Sequence, residues 1–485
     1  MKGIFSPSAL LVISWLVMLP LMLVSPNAQL WAACLFLPPV VAWILGGNRA
    51  YPVLAWVIGL NWLSIAADVL GAELSGQPVR EGWLGPYDEQ AILIGLSALL
   101  AIALGMRLGV RLGGQVLRAR MRAMPSRIES GGYFDLGHLL VCYAVALVLS
   151  QVLEWLAWSI PTLTQPVLAF ALLKYVVLYA IAITVFESDR GYSWLVLVVG
   201  AEFIIGMTGY FASFKEPVFL LVIAMVSSRR GLASVKAWAL GLAGIAAVLW
   251  VALVWTAIKF EYRSEMYARP LQERVTWLAD RYVSRQIDYG DAATRLLDRV
   301  GSTELFAQVL ASLDAGAIGN DFNFYRAAIK HVLTPRVLFP EKAALDDSKI
   351  TTALTGQQIA EDTSIGVGYI AEADVDFGFP GLLLPMLALG FMLGSAAEYF
   401  MTRPAPLPVT QAFATATCFH FFFFEADIDK ALGGFITAWL AMALALRFGY
   451  PLMAMWLAGG PRRKIIAAKR VSAGTAPYHR HRTFM

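Results

Sequence analysis

Runs of roughly 20 apolar residues recur along this chain, and a single long polar stretch, Phe260 to Phe379, interrupts them. A helix rises ~1.5 Å per residue and a bilayer's hydrocarbon core is ~30 Å thick, so runs of that length read as membrane spans. On this criterion spans fall near 8–25, 29–46, 51–71, 90–112, 136–158, 164–186, 192–211, 216–228, 237–259, 380–398, 407–424 and 431–449. The expectation is an all-α, polytopic bundle of about twelve spans with one large helical loop. The chain then divides into a bundle over 1–259, the loop over 260–379, three further spans over 380–450 and a basic tail over 451–485. Composition agrees: 58% of residues are hydrophobic and 15% charged, against ~25% charged in soluble domains.

Lysine and arginine in the short connections set the orientation. Arg49, the run Arg111 to Arg127, Arg190, Arg229, Arg230, Lys236, Arg403 and the tail from Arg462 to Arg482 all fall on one side when every span is counted. Both termini are then cytoplasmic and the long loop lies outside. The first run lacks a small-residue cleavage site and more spans follow, so it is expected to be retained. The seventh and eighth runs, joined through Gly206, Gly209 and Ser213 into Phe214-Lys215-Glu216-Pro217, suggest a broken or re-entrant hairpin.

A stretch as long as 260–379 exceeds what connection needs, since most connections take ~4–6 residues. Leu271, Val275, Leu278 and Tyr282 recur at helical spacing, and Leu305 to Leu313 continues the pattern. Pro335 and Pro340 exclude regular helix between them. Asp346 to Asp362, rich in Thr, Ser, Gly and Gln, reads as a mobile flap.

Cations and carboxylates collect at segment ends on the outer side. Lys215 and Glu216 cap the hairpin, and Lys259, Arg263 and Arg269 leave the ninth run. Arg336 and Lys342 occupy the proline-bracketed segment, Glu372, Asp374 and Asp376 precede the tenth run, and His420, Glu425 and Asp427 close the eleventh. Arginine clamps phosphate with a planar fork and lysine adds a compact charge, so convergence of these groups would suit a lipid-linked diphosphate. Each has a plainer reading. Lys215 and Arg263 fit snorkelling residues, the acidic trio fits a charge cluster favouring the tenth helix through its dipole, and His420 fits an aromatic belt. Arg336, held between prolines in a loop, fits packing less well.

At span depth stand Glu154, Lys174 and Glu202. Counting from the span ends puts Lys174 and Glu202 level in adjacent antiparallel helices, which predicts an ion pair; a proton or ion relay is the alternative. Phosphate-cradling, nucleophile-elbow and zinc-protease motifs are absent from the sequence. Five histidines and three cysteines within apolar runs give no zinc framework, so metal-independent chemistry is expected.

Several of these motifs carry a resemblance. Gly209-Tyr210-Phe211-Ala212-Ser213-Phe214-Lys215-Glu216 with its short following run resembles the hairpin of bacterial O-antigen (Wzy-type) polymerases. Glu261-Tyr262-Arg263, Pro335-Arg336 with Phe339-Pro340 and Lys342, and Ser364-Ile365-Gly366 to Glu372 with Phe377-Gly378-Phe379-Pro380-Gly381 resemble that family's large periplasmic loop and the start of the next span. The likeness covers about the middle half of the chain. It implies a glycosyltransferase of the GT-C type that joins oligosaccharide repeat units carried on undecaprenyl diphosphate at the periplasmic face of a bacterial inner membrane. By the same likeness Arg336, Arg263 and Lys215 hold the diphosphate and Lys342 assists. Glu372 or Glu216 takes the acceptor's proton, and Asp374 and His420 are secondary candidates. The implied partners are the lipid-linked oligosaccharide, membrane lipids and a chain-length regulator protein, with no cofactor and no nucleic acid. One departure stands out, since many members of that family carry an aromatic residue where Asp374 or Asp376 stands, which weighs against a carboxylate role there. An O-antigen ligase shares the architecture, a lipid-linked oligosaccharide flippase would show repeats and more intramembrane charge, and a scaffold of an export complex would leave the cations unconverged.

Overall fold

The computed structural model describes residues 7–46, 51–121, 134–160, 162–208, 214–228, 230–266, 269–283, 289–318, 323–336, 338–339, 341–342, 347–359 and 365–457. The hairpin tip 209–213, Ser364 and the tail from 458 lie outside the described residues. Every regular element described is helical. Eight helices are long and apolar enough to cross a membrane: Pro7–Val24, Pro52–Ser75, Pro86–Gly114, Leu136–Ser159, Thr164–Ser188, Val235–Lys259, Leu383–Met401 and Ile428–Ala454. This is compatible with a multi-pass membrane protein. The other expected spans coincide with shorter helices, Ala28–Ile44, Tyr192–Thr208, Glu216–Ser227 and Leu407–Cys418.

The tightest packing joins Pro86–Met121 to Leu383–Met401. Gly105 and Gly109 face the second helix, and Gly390 and Gly394 face the first. A Cβ at Gly105 would overlap the Leu387 carbonyl, one at Gly109 that of Phe391, one at Gly390 that of Ile102 and one at Gly394 that of Met106. Both helices therefore carry glycines four residues apart on one face, the spacing that lets two apolar helices bring their backbones together inside a bilayer. No larger residue fits at this seam.

The polar stretch does not stand apart from the bundle. Its helices Leu271–Val283, Tyr289–Val300 and Thr303–Asp314 follow the expected apolar periodicity. Tyr289–Val300 packs on Pro52–Ser75 and on Val235–Glu261, while Thr303–Asp314 packs on Pro86–Met121. Phe306, Val309 and Tyr325 share one apolar core with Ile65, Ile92 and Tyr179 of the span-length helices. One polar tie fixes the junction: Asp68 accepts from the Thr303 amide at 3.0 Å and from its hydroxyl at 2.6 Å. Phe324–Leu333 lies against Ile428–Leu444.

Between the prolines the chain turns, with the Leu338 amide bonded to the Pro335 carbonyl at 2.9 Å. Of the expected flap, Asp346 and residues 360–362 lie outside the described residues. Asp347–Thr355 is a helix with Ser348, Thr351 and Leu354 buried, and Thr351 donates to the Ile365 carbonyl at 2.8 Å. Its polar composition is absorbed by local bonding, since hydroxyl side chains in a helix bond to backbone nearby.

Candidate functional site

One short segment, residues 420–430, holds His420, Glu425 and Asp427 and is reached by Lys215, Lys342 and Glu372. It joins Leu407–Cys418 to Ile428–Leu444, the last long helix. Gly366-Val367-Gly368 wraps the Asp427 carboxylate, which accepts the amides of Val367 and Gly368. A Cβ at Gly366 would overlap that carboxylate, and one at Gly368, which holds φ +92°, would overlap the Phe424 carbonyl, so neither position admits a side chain. The next residue, Tyr369, donates its amide to the Ala426 carbonyl at 2.8 Å and its hydroxyl to Asn61 at 3.0 Å.

Tyr369 opens a helix, Tyr369–Phe377, that carries the acidic trio. The Ile428 amide donates to Glu372 Oε2 at 2.6 Å. One turn on, Asp376 accepts the amides of Phe324 and Tyr325 at 3.0 and 2.9 Å. Both carboxylates cap helix N-termini, where unpaired amides and the helix dipole favour negative charge. Two of the trio therefore cap helices other than the tenth run, Glu372 the last long helix and Asp376 Phe324–Leu333, and Asp374 caps neither of these. Asp374 is buried to 6% with Oδ1 unbonded, and burial pushes its carboxyl up to about 6. Burial and the neighbouring Asp427 push Glu372 well above the usual carboxylate range, and burial together with Asp429 raises Asp427.

The cations fall into two groups around the same segment. Lys342 donates to the His331 carbonyl at 2.5 Å, and both Arg336 and Asp429 lie within its electrostatic reach. Burial, then Lys342 and Arg336, push the His331 imidazole down to about 4. Lys215 lies over the Phe423 ring, 4.2 Å from its centre, within reach of Glu216, Glu425 and Arg299. Glu216 is buried on the first turn of Glu216–Ser227 with Oε2 unbonded. Arg263 stands in the π-helical turn Tyr262–Met266 at the foot of Val235–Glu261, and its side chain lies outside the described residues.

Beside the segment, lined by its His420 and Lys430, opens a cavity of about 680 Å³. Its lining includes Glu154, Lys174, Glu202, Arg274, His420 and Lys430. Lys174 sits 3.3 Å from Glu202 and 3.8 Å from Glu154, and Tyr143 donates to Glu202 at 2.9 Å. The level ion pair read from residue counts is thus present, with Glu154 as a second carboxylate beside it. His420 reaches the cavity because Gly434 leaves room: a Cβ there would overlap the imidazole. Tyr175, stacked on Phe419 with centroids 5.4 Å apart, locks the turn to the Lys174 helix.

No family model, curated protein or solved structure matches this chain. The chemistry must therefore be argued from the residues. Taken as ionised, Lys174, Arg274 and Lys430 outweigh Glu154 and Glu202, so the cavity favours an anion, and its size suits the head of one ligand. Sequence reasoning passed over Arg274 and Lys430. Lys430 did leave a signal: a cation in the first turn of a helix opposes the dipole, a cost that bulk packing does not require.

Proposed function

We propose that the chain is a membrane glycosyltransferase that joins oligosaccharide repeat units carried on undecaprenyl diphosphate, in O-antigen or exopolysaccharide synthesis. In this reading it lies in a bacterial inner membrane with both termini cytoplasmic and its active face periplasmic. One observation carries the proposal: Lys215, Lys342 and Glu372, far apart in sequence, all reach residues 420–430, and His420 and Lys430 of that segment line the cavity, although Lys215, Lys342 and Glu372 do not. Arg336 joins them through Lys342. A sugar on a diphosphate is already activated, so the protein has to position the acceptor, remove its proton and meet the charge of the leaving group. A carboxylate beside a cationic cavity supplies those needs without a nucleotide.

The same geometry weighs among the carboxylates. Glu372 is occupied by the Ile428 amide and Glu216 is buried, which supports positional roles for both. An O-antigen ligase would use the same machinery on a different acceptor. A transporter of lipid-linked glycans is the second reading, favoured by the Glu154–Lys174–Glu202 network at helix depth.

Purified protein in detergent, supplied with a lipid-linked repeat unit, decides among them. Products longer than the substrate support the polymerase, transfer only to a lipid A core acceptor supports the ligase, and movement across proteoliposomes without new products supports the transporter. Arg336→Ala should slow elongation ~10²-fold or more, and Arg336→Lys should not restore it if the guanidinium grips two oxygens. An unchanged ladder from a well-folded Arg336→Ala protein removes that residue from the site.

A further inference from the structure

Within the proposed activity, and resting on that reading, we infer that Glu154 is the catalytic base that accepts the proton of the acceptor hydroxyl. It was not among the residues expected for that role. Four other carboxyls near the site are engaged or enclosed. Glu372 accepts the Ile428 amide, Glu216 and Asp374 are buried, and Glu202 is fixed between the Tyr143 hydroxyl and Lys174 at 2% exposure. Glu154 shares Lys174 with Glu202 but differs in exposure. Its side chain remains 40% exposed, lines the cavity and has Lys174 3.8 Å away to orient it. Gln151 and Gln165 line the same space and offer amides to sugar hydroxyls. Glu202 and Tyr143 act one step behind, as positioning residues that hold Lys174.

The step balances. The acceptor oxygen bonds to the anomeric carbon of the donor while its proton passes to the Glu154 carboxylate. The anomeric carbon–oxygen bond to the diphosphate breaks, and its electron pair leaves with the diphosphate, whose charge Arg274 and Lys430 meet. The products are a longer glycan, the lipid diphosphate and protonated Glu154, which returns its proton to water.

Full-length Glu154→Gln, Glu154→Asp and Glu202→Gln proteins, assayed with the lipid-linked repeat unit across pH, provide the test. Glu154→Gln should lower kcat ~10²–10⁴-fold, the usual worth of a general base, with KM and retention of labelled substrate near the parent's. Its pH–rate profile should also lose the acid limb. Glu202→Gln should lower thermal stability while keeping that limb. A Glu154→Gln protein with kcat within about threefold of the parent overturns the inference while leaving the proposed activity standing. A parent that elongates nothing overturns both. Should Glu154→Gln fail to fold, Glu154→Asp decides: a carboxylate one methylene shorter should cost kcat about tenfold or more with substrate retention intact, and full activity from it sinks the assignment.

Discussion

Glu372 caps the helix that begins at Ile428, 2.6 Å from its amide, across 56 residues of sequence. The bond joins the helix of the acidic trio to the last long helix, and Asp376 on the same face does the same for Phe324–Leu333. Glu372→Ala should cost about 1–2 kcal/mol, because it strands a buried amide. Glu372→Gln keeps an acceptor and removes a carboxyl crowded by Asp427, so it should melt within a few degrees of the parent. Equal losses for the two variants in a detergent melting series would show that charge, and not the cap, is what matters at this position.

The buried carboxyls also set a direction for pH. Glu372, Asp427 and Asp374 all have folded pKa values above their unfolded ones, Asp374 at about 6 against an ordinary value of 3.8. The folded state then binds more protons, and stability falls as pH rises from the ordinary carboxylate range through the raised values. His331 runs the other way. Held down to about 4 against 6.5, it stays neutral in the fold, so stability is lost as pH falls through that window. The two windows overlap between about pH 4 and 6, where three carboxyls oppose one imidazole, so the melting temperature should fall as pH rises through that range. Asp427→Asn should flatten the fall and His331→Gln should steepen it; unaltered slopes in both variants would refute the assignment.

The glycine seam gives a test of the fold alone. Gly109→Ala and Gly394→Ala each force a methyl into the opposite backbone, a clash that flexible side chains cannot relieve. Both should lower the melting temperature sharply or abolish a monodisperse peak on gel filtration. Gly59→Ala and Gly200→Ala, with open space where the methyl goes, should be close to neutral. Similar behaviour of all four would mean that the two helices are not in backbone contact.

How much of this was legible in the sequence depends on how local the cause is. Span-length helices could be read because bilayer thickness demands continuous apolar length, and the Lys174–Glu202 pair because depth follows from counting residues. Four expected spans, the eighth already a short run, coincide with short helices; Pro217 and Pro406 stand where two of these begin, and Leu407–Cys418 ends in the turn Phe419–Phe421, which apolar composition does not record. Tyr369–Phe377 illustrates the harder case. Its charges were visible, but the amides they cap arrive from Phe324 and Ile428, and nothing local to 372–376 names those partners. The glycines at 366 and 368 had a cause that only the approach of Asp427 and Phe424 reveals.

Gly434 tests whether His420 belongs to the cavity. Gly434→Ala should displace the imidazole and, on the proposed reading, lower elongation while leaving the melting temperature largely intact, because the ring can swing into the cavity. His420→Ala with Gly434→Ala should then be no worse than His420→Ala alone, since the methyl fills the space vacated. Additive losses would mean that Gly434 serves some contact other than His420.

The ion pair allows the sharpest energetic test. Lys174 and Glu202 are 7% and 2% exposed, so removing one partner leaves a charge enclosed, at a cost of about 3–5 kcal/mol. Lys174→Met should therefore destabilise strongly, and so should Glu202→Gln, although Tyr143 can still donate to the amide oxygen and soften the second loss. The double variant removes the stranded charge and should recover much of the stability of either single one. Glu154 complicates this in a useful way: 3.8 Å from Lys174, it can take over part of the pairing when Glu202 is neutralised, whereas Lys174 is the cation within 4 Å of both carboxylates. Lys174→Met should thus be the worst of the three, and a cycle in which Glu202→Gln is worse would show that Glu154 does not share the charge.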